Sequence, residues 1–473
     1  MNFLDISVRE KLKRIKYILG QLNIAELQKA GIEREDIKLS SHSHHIVTYP
    51  PLSVLPEIDS SQIYSTEYSE TVKELALYVH LPFCTGKCLY CSYVSLHSQT
   101  KDFIDNYLNI LEQEIELLLA CPGLHNIKIN SLYLGGGTPT YLTEKQLFRL
   151  MRFLKSKFVF QKEAEITIEA SPETIIEDNG EEKLKMLLQL GVNRFSLGIQ
   201  TFNDGLLKIL GRRHNAKEAI EAYDMIQQIG FDNINIDLIP GLPDETLEIW
   251  ENDLQIARRL QSPSVTCYPL SIQPTAKIWP IFQRQRERFP SRESVIMMHI
   301  MAQEFFNELN YTQRPVWWYI KNSSHVYQQQ LYKWEKMGEM LGMGVSSYSF
   351  VNDYQYFNFR NMADYIKRIG ENKLPILKGI KLDRQNLMRR LIMFGLKTGL
   401  DKELFKVKFG EYPDEAFKKT WSKLRKLNLI EESNGIIELS YKGKLFADEV
   451  AKEFYAEKIK IMIEKEKQLT AFI

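Results

Sequence analysis

The rhythm of hydrophobic positions changes near Leu75. Downstream of it, six short apolar runs (ELALYVHL, INSLYLGG, AEITIEA, RFSLGIQ, NINIDLI and SVTCYPLSI) appear in succession. They are separated by stretches of helical period such as DFIDNYLNILEQEIELLL, KQLFRLMRFLKSKF, AKEAIEAYDMIQQIG and LEIWENDLQIARRL. Apolar runs buried on both faces, with amphipathic helices between them, predict βαβ units and a parallel sheet. Thr143 followed by Gln146 has capping-box spacing and marks the start of the second helix. Six such units predict an α/β fold, a partial or complete TIM-like βα barrel, with its chemistry at the C-terminal strand ends.

Outside that block the pattern differs. Residues 1–70 read as a separate helical extension, with one helix over Ser7–Lys29 and a polar, Ser- and Pro-rich connector. The connector carries His42, His44 and His45, a run that reads as loop polarity with metal binding as the minority alternative. Residues 71–290 hold the barrel. Over 291–382 the alternation fades, and this stretch reads as a helical and loop region covering the substrate. Residues 383–473 combine helices, a hairpin-like IIELSYKG and a charged last helix, a winged-helix-like pattern.

Composition narrows the function classes. A net charge of +1 gives no broad attraction to nucleic acid or anionic lipid. No stretch approaches the roughly 20 apolar residues that span a bilayer, and the charged amphipathic start is unlike a secretory signal. These features predict a cytoplasmic protein. Five cysteines in 473 residues are too few for a disulfide framework. Cys121 and Cys267 stand alone and read as small buried hydrophobes.

The other three, Cys84, Cys88 and Cys91, crowd into YVHLPFCTGKCLYCSYV with spacing C-x3-C-x2-C. Pro82 and Gly86 interrupt helix here, so the chain can wrap an inorganic core. Three thiolates on a four-iron cubane leave one iron open for a further ligand. A structural zinc needs a fourth tight ligand, which His80 or His97 would have to supply, and the loop alone leaves that alternative open.

The loop does not stand alone. YVHLPFC, LYLGGGTPTYL, GVNRFSLGIQTFN, LGRRH and INIDLIPGLP follow in order, with LGMGVSSYS and RLIMFGLKTGLD downstream. With these motifs the chain resembles the radical S-adenosylmethionine superfamily, and within it the oxygen-independent coproporphyrinogen III oxidase-like group, from about Tyr78 to the last helix. The resemblance implies a [4Fe–4S] cluster on Cys84, Cys88 and Cys91, with S-adenosylmethionine chelating the open iron. Reduction of the sulfonium then releases a 5′-deoxyadenosyl radical. It also implies contacts to that cofactor from Gly135, Gly136 and Gly137, with Thr138 and Pro139 shaping the turn. Glu169, Gln200, Arg212 and Asp237 would meet its ribose and polar groups. Tyr78 would lie beside the sulfonium, with Tyr78 and Glu169 as catalytic candidates. Ile239 would form an apolar wall for adenine or for a second S-adenosylmethionine, so one or two molecules are expected. Trp317 and Trp318 either flank a planar substrate or simply pack.

One departure matters. True coproporphyrinogen oxidases carry a further cysteine two residues beyond the third, and here that position is Tyr93. The expectation is therefore a radical enzyme for methyl transfer, cyclopropanation or C–H oxidation of an aromatic or macrocyclic substrate, a tetrapyrrole among them. A low-potential donor such as flavodoxin or ferredoxin would supply its electron. A haem chaperone of the same family and a coproporphyrinogen oxidase are the alternatives.

Overall fold

The computed structural model describes residues 3–33, 48–64, 72–124 and 126–470. The run His42, His44, His45 lies outside the described residues. Six parallel strands follow the expected order: β1 (Lys73–Leu81), β2 (Ile127–Gly136), β3 (Val159–Ala170), β4 (Arg194–Gln200), β5 (Ile234–Leu238) and β6 (Ser264–Cys267). The intervening helices lie where the periodicity put them, at Lys101–Leu119, Glu144–Lys157, Ala216–Ile229 and Leu247–Leu260. Thr143 caps the second of these, with Gln146 reaching back to complete the box.

The region 291–382 is not only helix and loop. It adds β7 (Thr312–Gln313), β8 (Trp318–Ile320), β9 (Met340–Met343), β10 (Tyr348–Val351), β11 (Tyr354–Asn358) and β12 (Ile376–Lys381) to the same sheet. The order is 12-11-10-9-1-2-3-4-5-6-8-7. β9 runs parallel to β1 and extends the barrel by one strand. On the far side, β6 pairs with antiparallel β8 rather than with β9. The barrel is therefore partial, a curved sheet with two edges. These six strands are short, from two to six residues, and too short to set up a period of their own.

Both strand faces are buried, but they differ in chemistry. Along β3 the order Glu165, Ile166, Thr167, Ile168, Glu169 alternates; along β4 it is Arg194, Phe195, Ser196, Leu197. The apolar members lie 0–5 % exposed under the helices. The polar members line the barrel lumen. Asn235 ties three strands together there, donating to Ser196 Oγ (3.1 Å) of β4 and Asp237 Oδ1 (2.8 Å) of β5, and accepting from Ser264 Oγ (2.8 Å) and Thr266 Oγ1 (2.9 Å) of β6. Helix Gln328–Glu335 closes the floor of the lumen, and the Glu165 carboxylate caps it by accepting from the amides of Gln328 (3.0 Å) and Gln329 (3.2 Å). A carboxylate at a helix N-terminus meets unpaired donors and a favourable dipole.

The N-terminal extension differs from its reading in two ways. Its helix breaks in the middle, into Val8–Gln21 and Ile24–Lys29, because Asn23 takes a left-handed conformation that asparagine tolerates better than most residues. It also packs on the barrel helices, with Lys11 reaching Glu251 (2.7 Å) and Arg14 reaching Glu304 (2.7 Å). At the other end, helices Arg384–Gly395, Lys402–Phe409 and Lys418–Lys426 combine with a three-stranded sheet into a winged-helix-like unit. Its hairpin pairs Ile430–Ser433 with Ile436–Leu439 around Asn434-Gly435, both at positive φ. Such a turn favours Asn-Gly, so IIEL is only the second arm, and Tyr441 begins a helix.

Candidate functional site

The loop after β1 carries Cys84, Cys88 and Cys91, all half-buried. Two neighbouring segments bracket it. Leu89 donates its amide to Leu210 O (2.9 Å), and Ile278 donates to Leu89 O (2.9 Å). The glycine turn after β2 holds its base, through Gly137 N to Leu81 O (2.9 Å) and Thr138 N to Phe83 O (2.7 Å). A Cβ on Gly137 would sit 2.5 Å from Phe83 O; one on Gly136 would sit 2.5 Å from the His80 ring; one on Gly135 would sit 2.6 Å from Tyr133. Gly136 and Gly137 are thus required where β1 runs into the cysteine loop, while Gly135 leaves room in the lumen for Tyr133 and Glu169. That requirement stands in front of the close ligand approach expected of them.

Burial pushes the Cys84 thiol up to about 12, against a hydrogen bond from Thr138, and burial also raises Cys91. Thiolates form here only beside positive charge, which iron supplies. Arg212 adds a fixed cation, with Nη1 donating to Cys88 Sγ (3.3 Å) and Nη2 to Ser171 Oγ (2.7 Å) and Gly198 O (2.5 Å). Behind it stands Glu173, which accepts from Thr85 Oγ1 (2.7 Å) and Ser171 Oγ and faces His214 Nδ1 (3.3 Å). Burial opposes ionisation of Glu173, yet His214, Arg212, Ser171 and Thr85 together hold its carboxyl far below the usual range. Ser171, Glu173, His214 and Thr85 escaped the sequence reading. Of these only His214 had a signal, in LGRRH, whose first arginine and histidine both turn inward.

Tyr78, Glu169, Gln200 and Asp237 gather at the C-terminal strand ends. The ring of Tyr78 stacks on Tyr133 (6.1 Å between centroids), and its hydroxyl bonds His80 Nδ1 (3.0 Å). Glu169 accepts from Tyr133 OH (2.7 Å) and Gly136 N (2.9 Å); burial nevertheless pushes it up to about 7. Burial likewise raises Asp237 against its bonds from Ser196, Thr266 and Asn235. Gln200 ends β4 at φ 76°, a left-handed conformation that a non-glycine residue adopts at a cost. Tyr133, two residues before the glycines on the same strand face, is a site residue that the sequence reading missed.

Two rim groups have unmet hydrogen-bonding capacity: Gln200 Oε1 and Arg212 Nε are buried without a partner. Buried polar atoms are nearly always satisfied, so a polar ligand with its own donors and acceptors fits this rim. A zinc site fits less well. His80 already uses both ring nitrogens, Nε2 lying 3.3 Å from Val94 O. Among the described residues no three His, Cys, Asp or Glu side chains close around a single-ion position. Thiols set wider apart suit a cluster, which is larger than an ion.

The remaining candidates lie elsewhere. Ile239 is buried with Leu206, Leu210 and Leu242, beside Tyr90 of the cysteine loop. Trp317 packs on His299 (4.7 Å) and Trp318 on Tyr327 (6.3 Å) and Trp334 (6.4 Å), so they form no common slot. Cys267 is fully buried in β6. Cys121 is only partly buried, since it sits just past a helix end with Sγ on Leu117 O (3.4 Å). Tyr93 is 65 % exposed as a residue, yet burial of its hydroxyl raises its titration, and the charges of Glu169 and Cys91 add to that rise.

Comparison with known proteins agrees with this geometry. Residues 78–257 match the model of the Radical SAM superfamily, and residues 382–446 match that of the HemN C-terminal domain. The chain is 30% identical to the heme chaperone HemW of Bacillus subtilis (strain 168), over 80% of this chain and 99% of that one. It is 28% identical to the oxygen-independent coproporphyrinogen III oxidase of Escherichia coli (strain K12), over 79% and 83%. The solved structure of coproporphyrinogen III oxidase (HemN) from Escherichia coli superposes with TM-score 0.75 at 25% identity, covering 89% of this chain and 99% of that one.

Proposed function

The chain belongs to the radical S-adenosylmethionine superfamily and to its oxygen-independent coproporphyrinogen III oxidase-like group, and from that premise we propose that it cleaves S-adenosylmethionine reductively to act on an aromatic or macrocyclic substrate. Superfamily membership implies a [4Fe–4S] cluster and S-adenosylmethionine, which when bound would supply one-electron reductive cleavage of the S–C5′ bond and abstraction of a substrate hydrogen. Cys84, Cys88 and Cys91 would hold the cluster, with Arg212 donating to the Cys88 sulfur. Gln200 Oε1 and Arg212 Nε, unmatched within the protein, would bind the polar groups of the cofactor, with Glu169 and Asp237 beside them. Tyr78, Tyr133 and Tyr93 would wall the mouth against water, which an enclosed radical requires. Ile239 would back the adenine or a second S-adenosylmethionine.

The observation that carries this reading is the tripod of thiols seated over a polar lumen whose rim has unmet hydrogen-bonding capacity. Tyr93 in place of a fourth loop cysteine favours methyl transfer, cyclopropanation or C–H oxidation over decarboxylation. Anaerobic reconstitution with iron, sulfide and reductant is expected to yield 5′-deoxyadenosine. Methyl-labelled S-adenosylmethionine then separates methyl transfer, with label in the product, from hydrogen abstraction alone. Persistent absence of 5′-deoxyadenosine would overturn the reading. The near full-length likeness to heme chaperones favours a second one, haem trafficking with the cluster retained. Stoichiometric haem binding without turnover would select it.

A further inference from the structure

Gln200 holds a left-handed backbone (φ 76°) at the end of β4, and such a conformation persists only where the surroundings fix it. Its side chain lies over Gly198, where a Cβ would stand 2.8 Å from Gln200 Nε2 and 3.8 Å from Arg212 Nη2, so the two rim groups gather on one spot. Gln200 O accepts from Ile239 N (2.9 Å) of the neighbouring strand end. The next two residues bond a single carboxylate: Asp253 Oδ2 accepts from Thr201 Oγ1 (2.6 Å), and Oδ1 accepts from Phe202 N (2.8 Å). Thr201 Oγ1 passes the restraint on by accepting from Asn203 N (3.1 Å). Asn203 in turn caps helix Asp204–Leu210 by accepting from Leu206 N (3.0 Å).

Asp253 belongs to helix Leu247–Leu260 and is fully buried. No cation pairs with it among the described residues, and burial pushes its carboxyl up to about 7 against the bonds from Thr201 and Phe202. The facing turn carries a second carboxylate of this kind. Glu245 Oε2 accepts from the amides of Gly241 (2.6 Å) and Leu242 (2.9 Å), and burial, then the charge of Asp253, raise it. A buried carboxylate without a counter-charge costs the fold stability. Asparagine would accept from Phe202 N without that cost, but it would turn an amide N–H towards Thr201 Oγ1. The fold alone therefore does not account for an aspartate here.

Resting on the reading above, in which Gln200 meets the cofactor, we infer that Asp253 is the positioning residue of the rim. It clamps Thr201 and Phe202 and thereby holds the Gln200 carboxamide, with its unpartnered Oε1, beside Arg212. Asp253 touches no ligand itself; it acts through the two residues that follow Gln200.

The test uses the full, anaerobically reconstituted protein with Asp253→Asn, Gln200→Ala and the two together. Direct titration is expected to show S-adenosylmethionine bound about tenfold more weakly by Asp253→Asn, the worth of one hydrogen bond. Adding Asp253→Asn to Gln200→Ala should weaken binding no further. Hydrogen exchange over 200–203, measured without S-adenosylmethionine, should quicken in Asp253→Asn. The unfolding midpoint should not fall. The raised titration of Asp253 gives stability that is fully present below 3.8 and lost as pH rises through about 7. At about pH 8 the asparagine variant, which never ionises, should therefore unfold at the same midpoint or a higher one. Unchanged exchange over 200–203 would overturn the proposal. So would an affinity loss that adds in full to that of Gln200→Ala, or a lowered midpoint with unchanged affinity, the mark of a merely structural carboxylate. Quickened exchange in Asp253→Asn, with Gln200→Ala binding S-adenosylmethionine as tightly as the parent, would uphold the clamp and reject the cofactor contact of Gln200 instead.

Discussion

Glu165 and Glu169 lie four residues apart on the same strand and face the same lumen, yet they do different work. Glu165, at the floor, accepts from two backbone amides of the helix that closes the barrel. The Arg194 guanidinium, flat on Tyr327 at 4.5 Å, opposes the rise that burial imposes on its carboxyl. Glu169, at the mouth, is held by Tyr133 and the Gly136 amide, and its near neighbours Gln200 and Arg212 keep unpartnered buried atoms. The Glu165 carboxylate is satisfied within the protein, although Arg194 Nε and Nη1 beside it are buried without a partner; at the mouth the unpartnered atoms belong to Gln200 and Arg212. A buried polar group that the fold satisfies stabilises the fold, and a buried group it leaves unsatisfied points to a ligand.

The largest expected effect falls on the floor. Glu165→Ala removes the helix cap and leaves two backbone amides without their acceptor, which costs about 3 kcal/mol at roughly 1–3 kcal/mol for each donor left unsatisfied. Denaturant unfolding should show a lowered midpoint, while S-adenosylmethionine affinity of the folded fraction stays within about twofold. Large loss of affinity with unchanged stability would invert the comparison.

The next effect is a pH dependence. Glu169 binds its proton up to about pH 7 in the folded state, against 4.5 for its ordinary value. Between those values the folded chain holds a proton that the unfolded chain has released. Stability from this group is therefore fully present below about 4.5 and declines as pH rises towards 7, by at most about 3 kcal/mol. Glu169→Gln should remove that decline, and unfolding midpoints across this window would test it. A decline equally steep in the variant would assign it to another group.

Glu169→Gln should also weaken S-adenosylmethionine binding by about 10- to 100-fold, the range for losing a hydrogen bond to a charged group. Stability near neutral pH should not fall, because the amide lacks the ionisation that lowers it in the parent chain. Tyr133→Phe should produce the smallest effect, about 1 kcal/mol, as one neutral donor is lost. It should also move the Glu169 titration upward, because the Tyr133 hydroxyl favours the ionised form.

The comparison also explains how much was legible in the sequence. The six parallel strands and their helices announced themselves because apolar runs and helical stretches of several turns alternate along residues 73–267. The cysteine spacing and motif order placed Cys84, Cys88, Cys91, Glu169 and Gln200 on one rim before any coordinates. What stayed hidden depended on distant pairing. β9 is four residues long and joins the barrel only because β1 offers it an edge. The glycine turn serves loop seating because His80 and Phe83 happen to fill the space above it. The polar lumen lay in plain view as Glu-Ile-Thr-Ile-Glu alternation, but that period alone does not reveal that its polar face is enclosed.

The central claim is that three thiolates leave one iron vacant for a sulfonium compound to chelate. Electron paramagnetic resonance of the reduced, anaerobically reconstituted protein tests it directly, with and without S-adenosylmethionine. The account predicts a [4Fe–4S] signal whose g-values shift when S-adenosylmethionine is added, and no such signal from Cys88→Ala. A signal indifferent to S-adenosylmethionine, or a single zinc held by four side chains in protein purified without air, would contradict it.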